Sequence, residues 1–223
     1  MAKDIKVRVT FTSEVLGTAP NNPQIYEEYI YKKDPESEIN TLDDEIETLG
    51  ADAVIDKGMT VFHKDTEGPF LYDYQIRGFI KESIAHLRNA NDPVAKKLTA
   101  YKKKIDGLVH VYPGHIHFKG VTGINVVQRP LRAQTMQGER ITLACSEEIA
   151  AGATVSFLIK IENPDLEPAI RVALDHGLSV GIGQWRGSGG KGKFYWEEIG
   201  ENGEVIYSNK AEYDALNNLE VDW

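Results

Sequence analysis

Residues 5–11, Ile-Lys-Val-Arg-Val-Thr-Phe, alternate apolar and polar side chains with a period of two. That alternation specifies a strand with one face buried and the other in water. Something must therefore cover one side of the sheet it joins. Residues 73–89 supply a candidate, because Ile76, Phe79, Ile80, Ile84 and Leu87 recur at helical spacing while Arg77, Lys81 and Arg88 fall on a separate basic stripe. A second helix is bracketed at 164–176. Asn163 can cap it, Pro164 sits in its first turn, Asp165 and Glu167 suit its positive end, and Gly177 follows its last turn. Its apolar face is Leu166, Ile170, Ala173 and Leu174, and two such stripes need one shared surface.

The rest of the chain fills in around these elements. Gly17-Thr-Ala-Pro-Asn-Asn-Pro has turn chemistry throughout, and residues 17–68 read as an insertion with at most short helices around 23–31 and 41–49. Asn91-Asp-Pro breaks the first long helix, a Lys-rich helical stretch follows, and strands are expected at 108–112 and 115–118. Residues 120–137, which contain Arg129-Pro-Leu-Arg132, have neither period and read as a loop or protruding hairpin. A hairpin pattern joins 140–145 to 155–161 through a turn at Ala151-Gly-Ala, and a last strand is expected at 193–199. In the tail, Asn202-Gly marks a turn and 213–219 a helix. With the insertions removed, a βαββαβ order remains, which is an α+β, ferredoxin-like or RRM-like antiparallel sheet with two helices on one face. The expectation is a single domain over 1–223 with insertions at 17–68 and about 119–138. Its sheet would contain 5–11, 108–118, 140–161 and 193–199.

Charge is segregated along the chain. Residues 27–56 hold eleven acids against Lys32 and Lys33, whereas residues 96–140 hold nine bases against Asp106 and Glu139; the whole chain carries −9. If copies stack, the acidic segment of one can meet the basic region of the next, so a head-to-tail homo-oligomer is expected. The lone Cys145 excludes a disulfide framework and a multi-thiolate zinc site, and it reads as a buried small hydrophobe. No stretch approaches the ~18 consecutive apolar residues of a membrane helix, and Met1-Ala-Lys-Asp opens a strand rather than a signal peptide. The expectation is a cytoplasmic protein with no membrane association.

Four places resemble the RAMP superfamily of CRISPR RNA-binding proteins, which are elaborated RRM-like folds. The first is 5–11 followed by Leu16-Gly-Thr, similar to that family's opening strand and small-residue turn. The second is Pro69-Phe-Leu-Tyr-Asp-Tyr-Gln-Ile-Arg-Gly-Phe-Ile-Lys-Glu, similar to its proline, loop and first helix. The third is Glu147-Glu-Ile-Ala-Ala-Gly-Ala-Thr-Val-Ser-Phe, similar to its acidic hairpin. The fourth is Gly181-Ile-Gly-Gln-Trp-Arg-Gly-Ser-Gly-Gly-Lys-Gly-Lys-Phe, similar to its glycine-rich loop. The resemblance implies an RNA-binding subunit of an assembly, or a stand-alone phage or mobile-element relative.

The glycine loop carries the most chemistry. Its backbone can turn several N–H groups toward one anion while Arg186, Lys191 and Lys193 supply charge around Gly189 and Gly190. Gly187-x-x-x-x-Gly192-Lys193 imitates a phosphate-binding loop of nucleotide hydrolases. Phe194, however, stands where such a loop has Ser or Thr, and the segment runs from helix to strand, so a triphosphatase is excluded. No cofactor is implied. The alternative reading of the loop is a long turn whose glycines permit close packing. Aromatic rings flank it, and alternation assigns Phe194 and Trp196 to the core, leaving Trp185 and Tyr195 to stack on bases. With Arg77, Lys81, Arg129 and Arg132, these residues make up the candidate nucleic-acid-binding set. His115 and His117 share a strand face and are weak catalytic candidates for metal-independent RNA cleavage, with no carboxylate evident near them in sequence. Asp175-His176 reads as helix-end chemistry.

Three functions remain open. The favoured one is a non-catalytic module that binds single-stranded RNA or DNA and self-assembles. The others are a structural or assembly protein that binds protein partners through its charged lobes, and a metal-independent ribonuclease using His115 or His117.

Overall fold

The computed structural model describes residues 2–21, 59–135 and 138–218, with the strand segment 130–143 given by its backbone. The acidic segment 27–56 lies outside the described residues. In chain order the strands and helices are β1 Lys3–Phe11, β2 Val15–Leu16, β3 Ala19–Pro20, β4 Thr60–Val61, β5 His63–Asp65, β6 Gly68–Tyr72, α1 Asp73–Asn89, α2 Pro93–Lys97, α3 Tyr101–Leu108, β7 Val109–Tyr112, β8 His115–His117, β9 Ile124–Thr135, β10 Gly138–Ile149, β11 Thr154–Ile161, α4 Glu167–Asp175, β12 Phe194–Ile199, β13 Val205–Ser208 and α5 Lys210–Asn217.

The main sheet has the order β13-β12-β1-β11-β7 and is antiparallel at every pairing. Without the edge strand β13, its four strands stand in the order fourth-first-third-second of a βαββαβ chain, which is the ferredoxin-like topology. β1 sits at the centre because its alternation buries Ile5, Val7, Val9 and Phe11 on one side and leaves Lys6, Arg8 and Thr10 on the other. α1 and α4 pack against each other and against the buried side, through Ile76, Phe79, Ile80 and Ile84 from α1 and Ala169, Ile170, Ala173 and Leu174 from α4. Both helix boundaries follow the sequence signals. The Asn163 side chain accepts from the Asp165 N–H at 3.1 Å in a 3₁₀ turn that leads into α4. Phe194 and Trp196 are fully buried and Cys145 is buried, as alternation and residue type require.

Two expected members of this sheet lie elsewhere. β8 pairs with β6 in a separate three-stranded sheet of order β5-β6-β8, and β10 forms a twelve-residue ladder with β9, adding β2 and β4 along its other edge. The expected hairpin of 140–145 with 155–161 does not form, and its turn is a corner between sheets. At that corner the Gly152 N–H donates to the Phe11 carbonyl at 2.8 Å, and the Phe11 N–H donates to the Ala153 carbonyl at 3.0 Å. The end of β1 therefore takes up the backbone groups on which a hairpin would depend. Gly152, at φ +93, supplies a left-handed conformation that other residues resist. Of the basic region 119–138, residues 124–135 form β9, which pairs antiparallel with β10 at 138–149. Among the described residues, no helix is long and apolar enough to cross a membrane.

Candidate nucleic-acid interface

The start of α1 and the glycine loop face one another. The Tyr72 N–H donates to Gln75 Oε1 at 2.8 Å, and Gln75 Nε2 donates to Thr18 Oγ1 at 2.9 Å, so one side chain caps the helix and ties it to the turn after β2. A cavity of about 210 Å³ opens between these residues and the loop, lined by Thr18, Tyr74, Gln75, Gly78, Phe79, Gly181, Ile182, Gly183 and Arg186. A broader groove of about 860 Å³ lies beside it, lined by residues 18–21 and 61–64 with Tyr72 and Tyr74. Thr18 and Tyr74 border both, so the two depressions adjoin.

The glycines of the loop differ by position. At its base the Ile182 N–H donates to the Gly192 carbonyl at 2.9 Å, and a Cβ on Gly192 would lie 1.8 Å from the Ile182 carbonyl oxygen. A Cβ on Gly181 would lie 2.0 Å from the Lys191 carbonyl oxygen, so these two glycines serve backbone packing. At the tip, Gly187 and Gly190 have positive φ and open space around them. The N–H groups of Gly190, Lys191 and Gly192 donate to the carbonyls of Gly187, Trp185 and Glu14, so these three are not turned toward a ligand.

Four cations of the loop and of α1 are matched by carboxylates. Arg186 meets Glu82 at 2.6 Å, Lys191 meets Glu14 at 3.0 Å and Glu148 at 3.3 Å, Arg77 meets Asp73 at 2.7 Å, and Lys81 meets Asp106 at 2.7 Å. Burial works against the Lys191 ammonium, but its bonds to Glu14 and Glu148 raise its pKa above the ordinary value. Glu14 is correspondingly lowered, first by a backbone hydrogen bond and then by Lys191. Arg186 lines the smaller cavity, whereas Arg77 and Lys81 line neither depression; Lys81 reaches across to α3. Among the described residues, Lys193 has no carboxylate partner. Arg129 stacks on Trp185, with the guanidinium carbon 3.6 Å from the ring centroid. Arg132 pairs with Ile141 in the β9–β10 ladder, and its side chain lies outside the described residues. Tyr195 sits on the face of the main sheet opposite α1 and α4, against Tyr213 of α5, 5.9 Å between ring centroids, apart from the loop. Asp175, read as helix-end chemistry, accepts from the Trp196 indole N–H and the Tyr207 hydroxyl, both at 2.8 Å.

The three-stranded sheet carries a cluster that sequence alone did not assemble. Its register, His63↔Phe70↔His117 and Tyr72↔His115, puts these side chains on one face with Asp65, while Leu71 and Ile116 point into the core. Asp65 bonds His117 Nε2 at 2.9 Å and His115 Nδ1 at 3.3 Å, a carboxylate brought to the histidines from another strand. Burial raises the Asp65 pKa, but the Glu67 N–H and the two imidazoles outweigh it and hold the carboxyl below its usual range. Burial, helped by nearby His115, pushes His63 down. His115 stacks on Phe70 at 4.1 Å and 16°, and Tyr72 on Tyr74 at 5.1 Å and 18°, so a ladder of rings leads into the groove. Among the described residues, no group of three or more His, Cys, Asp or Glu is placed to hold a metal ion.

No family model matches the chain, and no curated protein does. A solved structure does. The chain is similar to one in a cryo-EM structure of the Type III-B Cmr-beta bound to cognate target RNA, at 15% identity and a TM-score of 0.48, over 93% of this chain and 60% of that one. This chain thus spans about three-fifths of the length of that protein.

Proposed function

We propose that this chain is a non-catalytic module of RAMP-like type that binds single-stranded RNA in the groove between the start of α1, the glycine loop and the ring-bearing three-stranded sheet. The observation that carries the reading is the groove bordered by the stacked Tyr72 and Tyr74, with Tyr74 53% exposed and shared with the adjoining cavity. Every base has a face that stacks on such a ring, whatever the sequence. The ferredoxin-like topology and the four RAMP-like motifs support RNA as the ligand.

Because the cations around the groove already hold carboxylates, stacking is expected to contribute more than phosphate contacts. Anisotropy titrations with labelled RNA and DNA octamers test this. Tyr74→Ala should weaken RNA binding by ~1–3 kcal/mol, and the salt dependence should be shallower than the ~0.7 per contact of phosphate binding summed over five free cations. Absence of any RNA affinity at low salt overturns the reading, and tighter binding of DNA reassigns the ligand.

The Asp65–His117–His115 arrangement favours a second reading, a metal-independent ribonuclease. A neutral imidazole would take the 2′-hydroxyl proton as that oxygen attacks the adjacent phosphorus, and the other, protonated, would give its proton to the departing 5′-oxygen. The products would be a 2′,3′-cyclic phosphate and a 5′-hydroxyl. Intact RNA after prolonged incubation with the wild-type chain in chelator rules it out.

A further inference from the structure

Arg129 is 8% exposed, and its Nε and Nη1 are buried with no hydrogen-bond acceptor among the described residues. A guanidinium is an obligate donor, so buried N–H groups without acceptors are a standing cost. The carboxylate that acts on it electrostatically, Glu148, is held instead by Lys191 at 3.3 Å. Burial accordingly lowers the Arg129 pKa, with Glu148 only opposing the shift. Trp185 covers the guanidinium face at 3.6 Å, yet it is 40% exposed and its backbone stands at φ 60, a left-handed conformation that costs any residue with a Cβ. Gly189 lies against the root of the indole, where an added Cβ would come within 3.0 Å. The loop beyond it turns at Gly187 and Gly190, which have open space, while Gly181 and Gly192 hold its base closed. A strained, half-exposed aromatic cover beside an open loop tip, above a cation without acceptors, is an arrangement poised to exchange one partner for another.

We propose that Arg129 is a phosphodiester-binding cation held in reserve and that Trp185 is its cover. A nucleotide of a single-stranded chain draws the indole off the guanidinium; phosphate oxygens then accept from Nε and Nη1, and the uncovered indole face stacks on the base. The inference rests on the nucleic-acid reading for its natural ligand, and it adds a site whose phosphate contact is hidden in the free chain.

The test follows Trp185 emission, taken as wild-type minus Trp185→Phe, during titration with octauridylate. A saturable change is expected in the wild type, and Arg129→Gln should abolish it and weaken binding by tenfold or more. Arg129→Met should melt no lower than the wild type, since it removes donors that have no acceptor, whereas a purely structural arginine would lower the midpoint. Binding without a Trp185 response, or equal affinity in Arg129→Gln, overturns the proposal and leaves the groove reading intact. If octauridylate does not bind at all, the groove reading fails, and inorganic tripolyphosphate decides this site separately. A Trp185 response that Arg129→Gln removes retains the anion site, and no response sinks it.

Discussion

Gly192 and Gly187 look interchangeable in the glycine-rich run, yet their surroundings separate them. Both have positive φ, but a side chain at Gly192 would strike the Ile182 backbone, and one at Gly187 would meet nothing within 4 Å. Gly192→Ala should therefore destabilise the fold by more than ~3 kcal/mol, and Gly187→Ala by about 1 kcal/mol, as read from denaturant midpoints. Equal losses would show that the loop is not clamped at its base. Residue-level inference succeeded where the information is local: alternation along 193–199 separated the core rings Phe194 and Trp196 from Tyr195. It missed the state of the cations because their partners are remote. Lys191 finds Glu14 across 177 positions and Arg186 finds Glu82 across 104, and no sequence window contains both members of either pair. Spacing on a helix showed a basic stripe at Arg77 and Lys81 without showing which way that stripe would face.

Among the elements, β12 and β13 are joined to α4 by Asp175, which accepts from Trp196 and Tyr207 together. Burial and the bond to Asp175 push the Tyr207 phenol up to about 12. The phenol is favoured in its neutral form, so its contribution is fully present below about pH 10 and is lost as pH climbs toward that raised value. Absorbance at 295 nm should resolve one tyrosine ionising late, and Tyr207→Phe should remove that step. On the acid side, His63 and His176 are both held low by burial, with His115 and His86 as neighbours. Their contribution is present above about pH 6.5 and declines as pH falls, so the melting temperature should drop between pH 7 and 5. His176→Gln should flatten that slope, and an unchanged slope would discount the pair with His86. Element identity was largely legible, since α1 occupies 73–89 as its apolar stripe demands. Strand partnership was not: a period of two tells which face is buried, but the pattern of β10 serves equally beside β11 or β9. The choice is made by Phe11 at the corner.

For the whole molecule, the contrast between residues 27–56 and 96–140 suggests association between copies, with opposite charges meeting. Light scattering should give a mass above that of one chain at low ionic strength and a falling mass as salt is raised; a monomer at tens of micromolar in low salt would refute it. The order of the main sheet also bears on how such a chain emerges from a ribosome. β1 is made long before both its neighbours, since β11 and β12 follow residue 153. Until then Ile5, Val7, Val9 and Phe11 have no sheet to enter. The stretch between Phe11 and Thr154 is therefore made with an apolar strand unpaired, a nascent state that invites chaperones and closes only when β11 and β12 arrive.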